Sequence, residues 1–306
     1  MTVTAHQLSD GTSGYVPLMD VSGLVAVLYL LAVRGLFDRC DVELGHDTYG
    51  EYPSTYARRL PRWLRMPFNT AVNVLYLLCG WYWLRKAGCE EETRAETKAL
   101  RGPLLMPAEA AYWFRAYGWL CVHRGIVQAL FMVAQSRRLA SLCELSRLLI
   151  VSWCVLWSLR LLGFLGEGTS RFVAALAVPV VHFVCCLRDP RGHERAEIYQ
   201  GLLMVLLLAC LQFRYGDVAH SLTSLALGCV CAALLAVLAR NDVELARSGP
   251  PLFRSLTGFF WSRVCEALAL HCAARFMFAV SVNKYVDSSL QYDFPGTPTV
   301  AGGGAT

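Results

Sequence analysis

Apolar residues run along the chain in blocks of about 17–25 residues, the length a helix needs to cross roughly 30 Å of hydrocarbon at about 1.5 Å per residue. Eight blocks are legible: Val16–Phe37, Met66–Leu84, Pro107–Ala134, Leu145–Leu165, Arg171–Leu187, Tyr199–Phe213, Val218–Ala239 and Leu256–Val280. The pattern predicts an all-α fold, a polytopic transmembrane helical bundle of about 7–8 membrane helices in one domain. Backbone polar groups in lipid must bond within their own segment, and no block alternates as barrel strands do. The bundle is expected over residues 16–285. A disordered N-terminus at 1–15 and a disordered C-terminal tail at 286–306 flank it, since a stretch such as DFPGTPTVAGGGAT has little to bury. The sixth block is the weakest, its core GLLMVLLLACLQF being short for a full crossing. The third is interrupted by Glu109, Arg115, His123 and Arg124, as a buried helix with a polar side would be.

Composition places the chain in a membrane: 56% of residues are hydrophobic, 17% are charged, and mean hydropathy is +0.42. The lipid bilayer is therefore the expected partner. The net charge of +5 is carried by basic residues that occur singly or in pairs at block ends, not on a dense basic face interleaved with aromatics, which argues against nucleic acid as a partner. Loops after blocks three, five and seven carry Arg137, Arg138 and Arg147, then Arg188, Arg191 and Arg195, then Arg240, Arg247 and Arg254. The charge rule puts these in the cytosol and both termini on the lumenal or exterior side. Arg85, Lys86, Arg94, Lys98 and Arg101 after block two run against it. No Lys or Arg precedes the first block, so an uncleaved first membrane helix is expected instead of a secretory signal.

Candidate chemistry lies in two blocks. At about 100° per residue, Asn69, Asn73, Tyr76, Gly80 and Trp83 fall on one stripe about 80° wide. Such a stripe should face other helices, its amides either bonding across the interface or lining a site for a substrate or ion. The last block holds Ser262, Arg263, Glu266, His271 and Arg275, charged residues that are costly in a membrane and mark a bundle interior, a cavity or a partner charge. Arg263 and Glu266, three apart, can pair on their own helix. A polar pocket in which Glu266 or His271 handles protons or a ligand head group is the alternative. His123 and His271 could meet in one bundle and hold a metal with a carboxylate, but no HxxxH or HExxH spacing occurs, so no metal or other cofactor is expected. No phosphate loop or serine elbow is present, and no catalytic residue is assigned. The ligand-binding candidates are Asn69, Asn73, Tyr76, His123, Arg263, Glu266 and His271.

Three segments, LFDRCDVELGHDTYGEYP at Leu36–Pro53, MPFNTAVNVLYLLCGWYWL at Met66–Leu84 and LFRSLTGFFWSRVCEALALH at Leu252–His271, together resemble the transmembrane protein 187 family. The resemblance implies an integral membrane protein of the Golgi or another endomembrane, with no catalytic residues to carry over. The FNTAVN segment also looks like the opening helix of the superfamily of alkaline ceramidases and progestin/adipoQ receptors. That superfamily's zinc motif is missing here, Phe259 and Arg263 standing where its two histidines would be. The expected function leans away from catalysis: a multi-pass endomembrane protein whose buried polar stripe stabilises the bundle or binds a lipid or small ligand. The alternatives are a ceramidase-like lipid hydrolase relative whose metal site is lost, and a proton-coupled small-molecule transporter.

Overall fold

The computed structural model describes residues 15–35, 38, 51, 61, 64, 66–97, 108–165 and 192–293, and among them every regular element is helical. Helix α1 is Tyr15–Val33. The second block is broken: Pro67 opens α2, Pro67–Ala71, the chain turns at Val72 and Asn73, and α3 continues over Val74–Thr97. Asn73 heals the break itself, its Nδ2 donating to the carbonyls of Asn69 (3.0 Å) and Thr70 (3.1 Å). Helices α4, Ala108–Ala134, and α5, Arg137–Leu161, form a tight antiparallel hairpin. Gln135 takes a left-handed conformation between them, with φ of 47°, and the Ser136 hydroxyl caps α5 by accepting from the Leu139 amide at 3.3 Å. Then come α6, Gly192–Tyr215, a π-helical turn at Val218–Leu222, α7, Thr223–Arg240, and two short helices, α8 at Asp242–Ser248 and α9 at Leu252–Ser255. The last helix, α10, runs 36 residues over Gly258–Asp293.

Seven of the eight expected spans fall on these helices, and Arg171–Leu187 lies outside the described residues, as do positions 1–14 and 294–306. The sixth span is longer than its apolar core implied, because the polar segment GHERAEIYQ begins the same helix. Helix α10 likewise continues beyond Val280 to Asp293. Four described helices are long and apolar enough to cross a membrane: Arg137–Leu161, Ile198–Tyr215, Val218–Arg240 and Gly258–Tyr285. The shorter apolar helix Pro17–Val33 accompanies them. Helices α3 and α4 have the length but carry more polar residues, and in α4 two of these, Arg124 and Gln128, are buried.

The core is built on α4. One of its faces meets α3 so closely that a Cβ placed on Gly125 would lie 3.0 Å from the Asn73 carbonyl oxygen. Aromatic rings fill the space toward α5: Trp83 stacks on Phe114 at 5.1 Å between centroids, Phe114 meets Trp157 edge-on at 4.4 Å, and Trp113 meets Trp153 at 4.5 Å. Outside, α6 and α7 expose Leu202, Leu206, Phe213, Leu227, Val230 and Val237, the surface expected of helices bathed in lipid. One end of the bundle is tied by α10. Lys284 Nζ donates to the Leu161 carbonyl at 2.7 Å and Asn283 Nδ2 to the Tyr215 carbonyl at 2.8 Å, satisfying orphan groups at the C-termini of α5 and α6. Helices α5, α6 and α10 therefore run in the same direction. Near the same end Tyr112 of α4 donates to Asp20 of α1 at 2.8 Å, both close to their helix N-termini, so α1 and α4 run together as well.

The turn between α6 and α7 depends on Asp217. Its Oδ1 accepts from the Ser221 amide at 2.7 Å and its Oδ2 from the His220 amide at 3.3 Å, while the Asp217 amide donates to Ser221 Oγ at 2.8 Å. The Ser221 amide bond, the Ser221 hydroxyl and the His220 amide hold the carboxyl below the usual aspartate range. A carboxylate with a depressed folded pKa contributes stability above its unfolded value near ~3.9 and loses it as pH falls through the folded value. Asp217→Ala is accordingly expected to cost about 1 kcal/mol near neutral pH. Acid should shrink that difference, which thermal melts of both chains at pH 6 and pH 3 would measure.

Candidate functional site: a buried arginine–glutamate cluster

The site is assembled where three helix ends meet. Helix α10 starts at Gly258, where no side chain fits: a Cβ would lie 2.7 Å from the Leu238 carbonyl oxygen and 2.9 Å from Asp242 Cα. Asp242 Oδ1 accepts from the Phe259 amide at 2.6 Å and anchors this first turn. The start of α2 is held in the same manner from afar. Met66 offers no side-chain cap, and Glu51, 17 and 18 residues upstream, accepts from the amides of Phe68 (3.0 Å) and Asn69 (2.9 Å). Burial pushes the Glu51 carboxyl above its ordinary value, the two amides oppose that, and Asp242 pushes it up again. The two capped helix starts touch through Thr257 Oγ1, which donates to Asn69 Oδ1 at 3.4 Å.

One turn deeper along α10, Arg263 and Glu266 form the ion pair that their spacing allows. Arg263 also lies over the Phe259 ring, 4.4 Å from its centroid. The other Glu266 oxygen receives Arg124 of α4 at 3.2 Å. Arg124 is fully buried, and its remaining terminal nitrogen donates to the Cys143 carbonyl and to Ser146 Oγ (3.1 Å) on α5. A single guanidinium thus joins α4, α5 and α10. Tyr76 of α3 packs beneath, its ring centroid 5.9 Å from the Arg124 guanidinium carbon. Its hydroxyl is buried and has no hydrogen-bond partner among the described residues.

Two arginines share one glutamate, so the cluster carries one excess positive charge. The neighbouring Glu144–Arg147 pair on α5 adds one charge of each sign. Several buried polar atoms on the same inward faces lack a hydrogen-bond partner among the described residues: Asn69 Nδ2, Asn73 Oδ1, Gln128 Oε1 and the Nε atoms of both Arg124 and Arg263.

Of the residues singled out from the sequence, Asn69, Asn73, Tyr76, Arg263 and Glu266 come together here, all buried. The other two are placed differently. His271 lies further along α10 against the rings of Tyr82 (5.2 Å) and Trp83 (5.6 Å), beside the Cys79 thiol. His123 is half-buried next to Arg124, with Nδ1 unpartnered. Among the described residues no three His, Cys, Asp or Glu side chains gather so as to hold a metal ion. Sequence reasoning treated Arg124 as an interruption, set Thr257 aside for want of a His/Asp pattern beside it, and passed over Gln128, Ser146 and Glu51. The available signal was the spacing of Tyr117, Cys121, Arg124 and Gln128, which share one face of α4.

The sequence profile of the TMEM187 protein family matches residues 17–278. The chain belongs to this family. A TMEM187 relative, transmembrane protein 187 of Bos taurus, is 33% identical over 249 residues, covering 81% of this chain and 90% of its own length. Transmembrane protein 187 of Homo sapiens is 31% identical over 273 residues, covering 89% of this chain and 93% of its own. No solved structure matches the chain. The TMEM187 match spans all the helices that build the cluster, from α2 to the part of α10 holding Arg263 and Glu266.

Proposed function

We propose that this TMEM187-family membrane protein is a ligand-binding bundle, whose inward polar stripe on α2 and α3, together with α4 and α10, holds a lipid or small polar ligand. The observation that carries the reading is the set of unpartnered atoms. Asn73 and Asn69 each spend one end of the amide on the fold, and the other ends, Asn73 Oδ1 and Asn69 Nδ2, stay buried without partners among the described residues. Gln128 Oε1, 1% exposed at the residue level, does the same. A buried polar atom left unsatisfied costs about 1–3 kcal/mol, so a purely structural stripe would be better built from Leu or Ala. A ligand group that completes these bonds offsets the cost. Detergent-purified protein examined by native mass spectrometry is expected to retain a bound species, and Gln128→Leu is expected to retain much less of it. Wild-type protein that carries nothing, also after incubation with extracted membrane lipids, would sink the reading.

The directions of the described helices support the eight-span reading. An alternating chain requires spans two, four, six and eight to run parallel. The Thr257–Asn69 bond at the helix starts and the Lys284 and Asn283 bonds at the far end fit that requirement. Both termini then lie on one side, and the charge pattern and family resemblance support an endomembrane with the termini in its lumen. Epitope tags at the two ends should mark internal membranes and become accessible together, only after the organelle membrane is permeabilised. Tags accessible on opposite sides would refute the eight-span topology.

A further inference from the structure

We infer that the ligand's recognised part is a monoanionic oxyanion, a phosphodiester or carboxylate, bound against Arg124 and Arg263. The inference rests on the ligand-binding reading above and adds its charge and chemical class. An arginine keeps its proton in any protein environment, so burial cannot remove the positive charge of Arg124 or Arg263. Arg124 is 0% exposed and Arg263 is 9% exposed. Glu266 neutralises one of them through contacts to both. Glu144 and Arg147 add one charge of each sign, which leaves, among the described residues of the cluster, one positive charge in excess in a setting where isolated charges are expensive. A bound monoanion would remove that cost.

The donor chemistry narrows the anion. A guanidinium binds two oxygens at once along the edge formed by Nε and one terminal nitrogen. Among the described residues Arg263 keeps such an edge open, its ion pair using only Nη1, while Arg124, whose two terminal nitrogens are engaged, adds its Nε, and the Asn69 Nδ2 donor on the adjoining face also lacks a partner. These are planar N–H donors suited to an acceptor with several oxygens. One excess charge fits a group of charge −1 better than a phosphate monoester, which carries roughly −1.5 to −2 near neutral pH. The source is either the head group of an anionic lipid or a small anion from water, and the same oxyanion chemistry covers both.

The test uses the full chain in nanodiscs of phosphatidylcholine, with and without phosphatidylglycerol, and separately with inorganic phosphate, acetate or chloride in solution. Melting temperature is the readout. Phosphatidylglycerol is expected to raise it by roughly 5 °C if the lipid saturates the site about 100-fold above its dissociation constant. Phosphate or acetate doing so in pure phosphatidylcholine would assign the site to a soluble oxyanion. Gln128→Glu places a carboxylate one helical turn from Arg124. It should melt higher than wild type without added anion and lose the response. Arg263→Leu leaves the Arg124–Glu266 pair intact and should also lose the response, so the two variants do not depend on one another's folding. Wild-type response with both variants unchanged, or chloride acting as strongly as phosphate, would overturn the inference. A retained neutral lipid with no response to any anion would overturn it while leaving the ligand-binding reading in place, whereas no retained species at all would overturn both.

Discussion

Glu266→Leu is expected to destabilise the protein by about 3–5 kcal/mol, the usual result of removing one partner from a buried ion cluster. The carboxylate is the only negative group touching both Arg124 and Arg263 among the described contacts, with side chains 0% exposed for Arg124 and 10% for Arg263. Its loss leaves two buried like charges facing each other. The accompanying double variant separates this from loss of packing. Glu266→Leu with Arg263→Leu retains only Arg124, still bonded to the Cys143 carbonyl and Ser146 Oγ, and restores the charge of the native cluster. It should recover more than half of the lost stability. Reversible unfolding in detergent micelles, with all three variants as a cycle, measures the coupling. A double variant no more stable than Glu266→Leu would show that the carboxylate matters through shape and not charge.

Gly80→Val is expected to cost about 3 kcal/mol or more, at the upper end for overpacking. A Cβ on Gly80 would sit 2.5 Å from the Gly118 carbonyl oxygen and 3.0 Å from the Val122 amide nitrogen, both backbone atoms that cannot swing aside. The contact is reciprocal, since a Cβ on Gly118 would lie 2.9 Å from the Gly80 carbonyl oxygen. Close approach of small residues is a principal source of helix affinity in lipid, where apolar burial gives little. Separating α3 from α4 should also withdraw Tyr76 from beneath Arg124. Gly88 on the same helix is the control: a Cβ there meets nothing within 4 Å, and Gly88→Ala should be neutral or stabilise by up to about 1 kcal/mol. Equal losses from the two substitutions, measured by melting temperature and yield of folded monomer, would contradict this account of the α3/α4 contact.

The stripe of Asn69, Asn73, Tyr76, Gly80 and Trp83 was legible because helical phase carries across the short break between α2 and α3. All five are buried, while Val74, Leu78 and Trp81 on the other side are 50%, 53% and 57% exposed. The Arg263–Glu266 pair was legible for the same reason, three residues apart on one helix. What each amide does was not. Asn73 serves a break in its own helix, and only Asn69 reaches across, to Thr257, 188 residues away. The short α8 and α9 were also hidden, their residues reading as a polar loop between two spans.

The sequence by itself determined the membrane class, the helical blocks, the inward face of α3 and the local ion pair. These follow from composition and from periodicities of a few residues, which backbone geometry converts directly into a face. The tertiary structure alone decided that Arg124 completes the cluster from 142 positions away, that Glu51 caps α2, and that the two histidines stay outside. Local pattern gives each helix a buried side but not its rotation or depth against its neighbours. Those are set by close packing, here by Gly80 against Gly118, and that packing brings a second arginine to one glutamate.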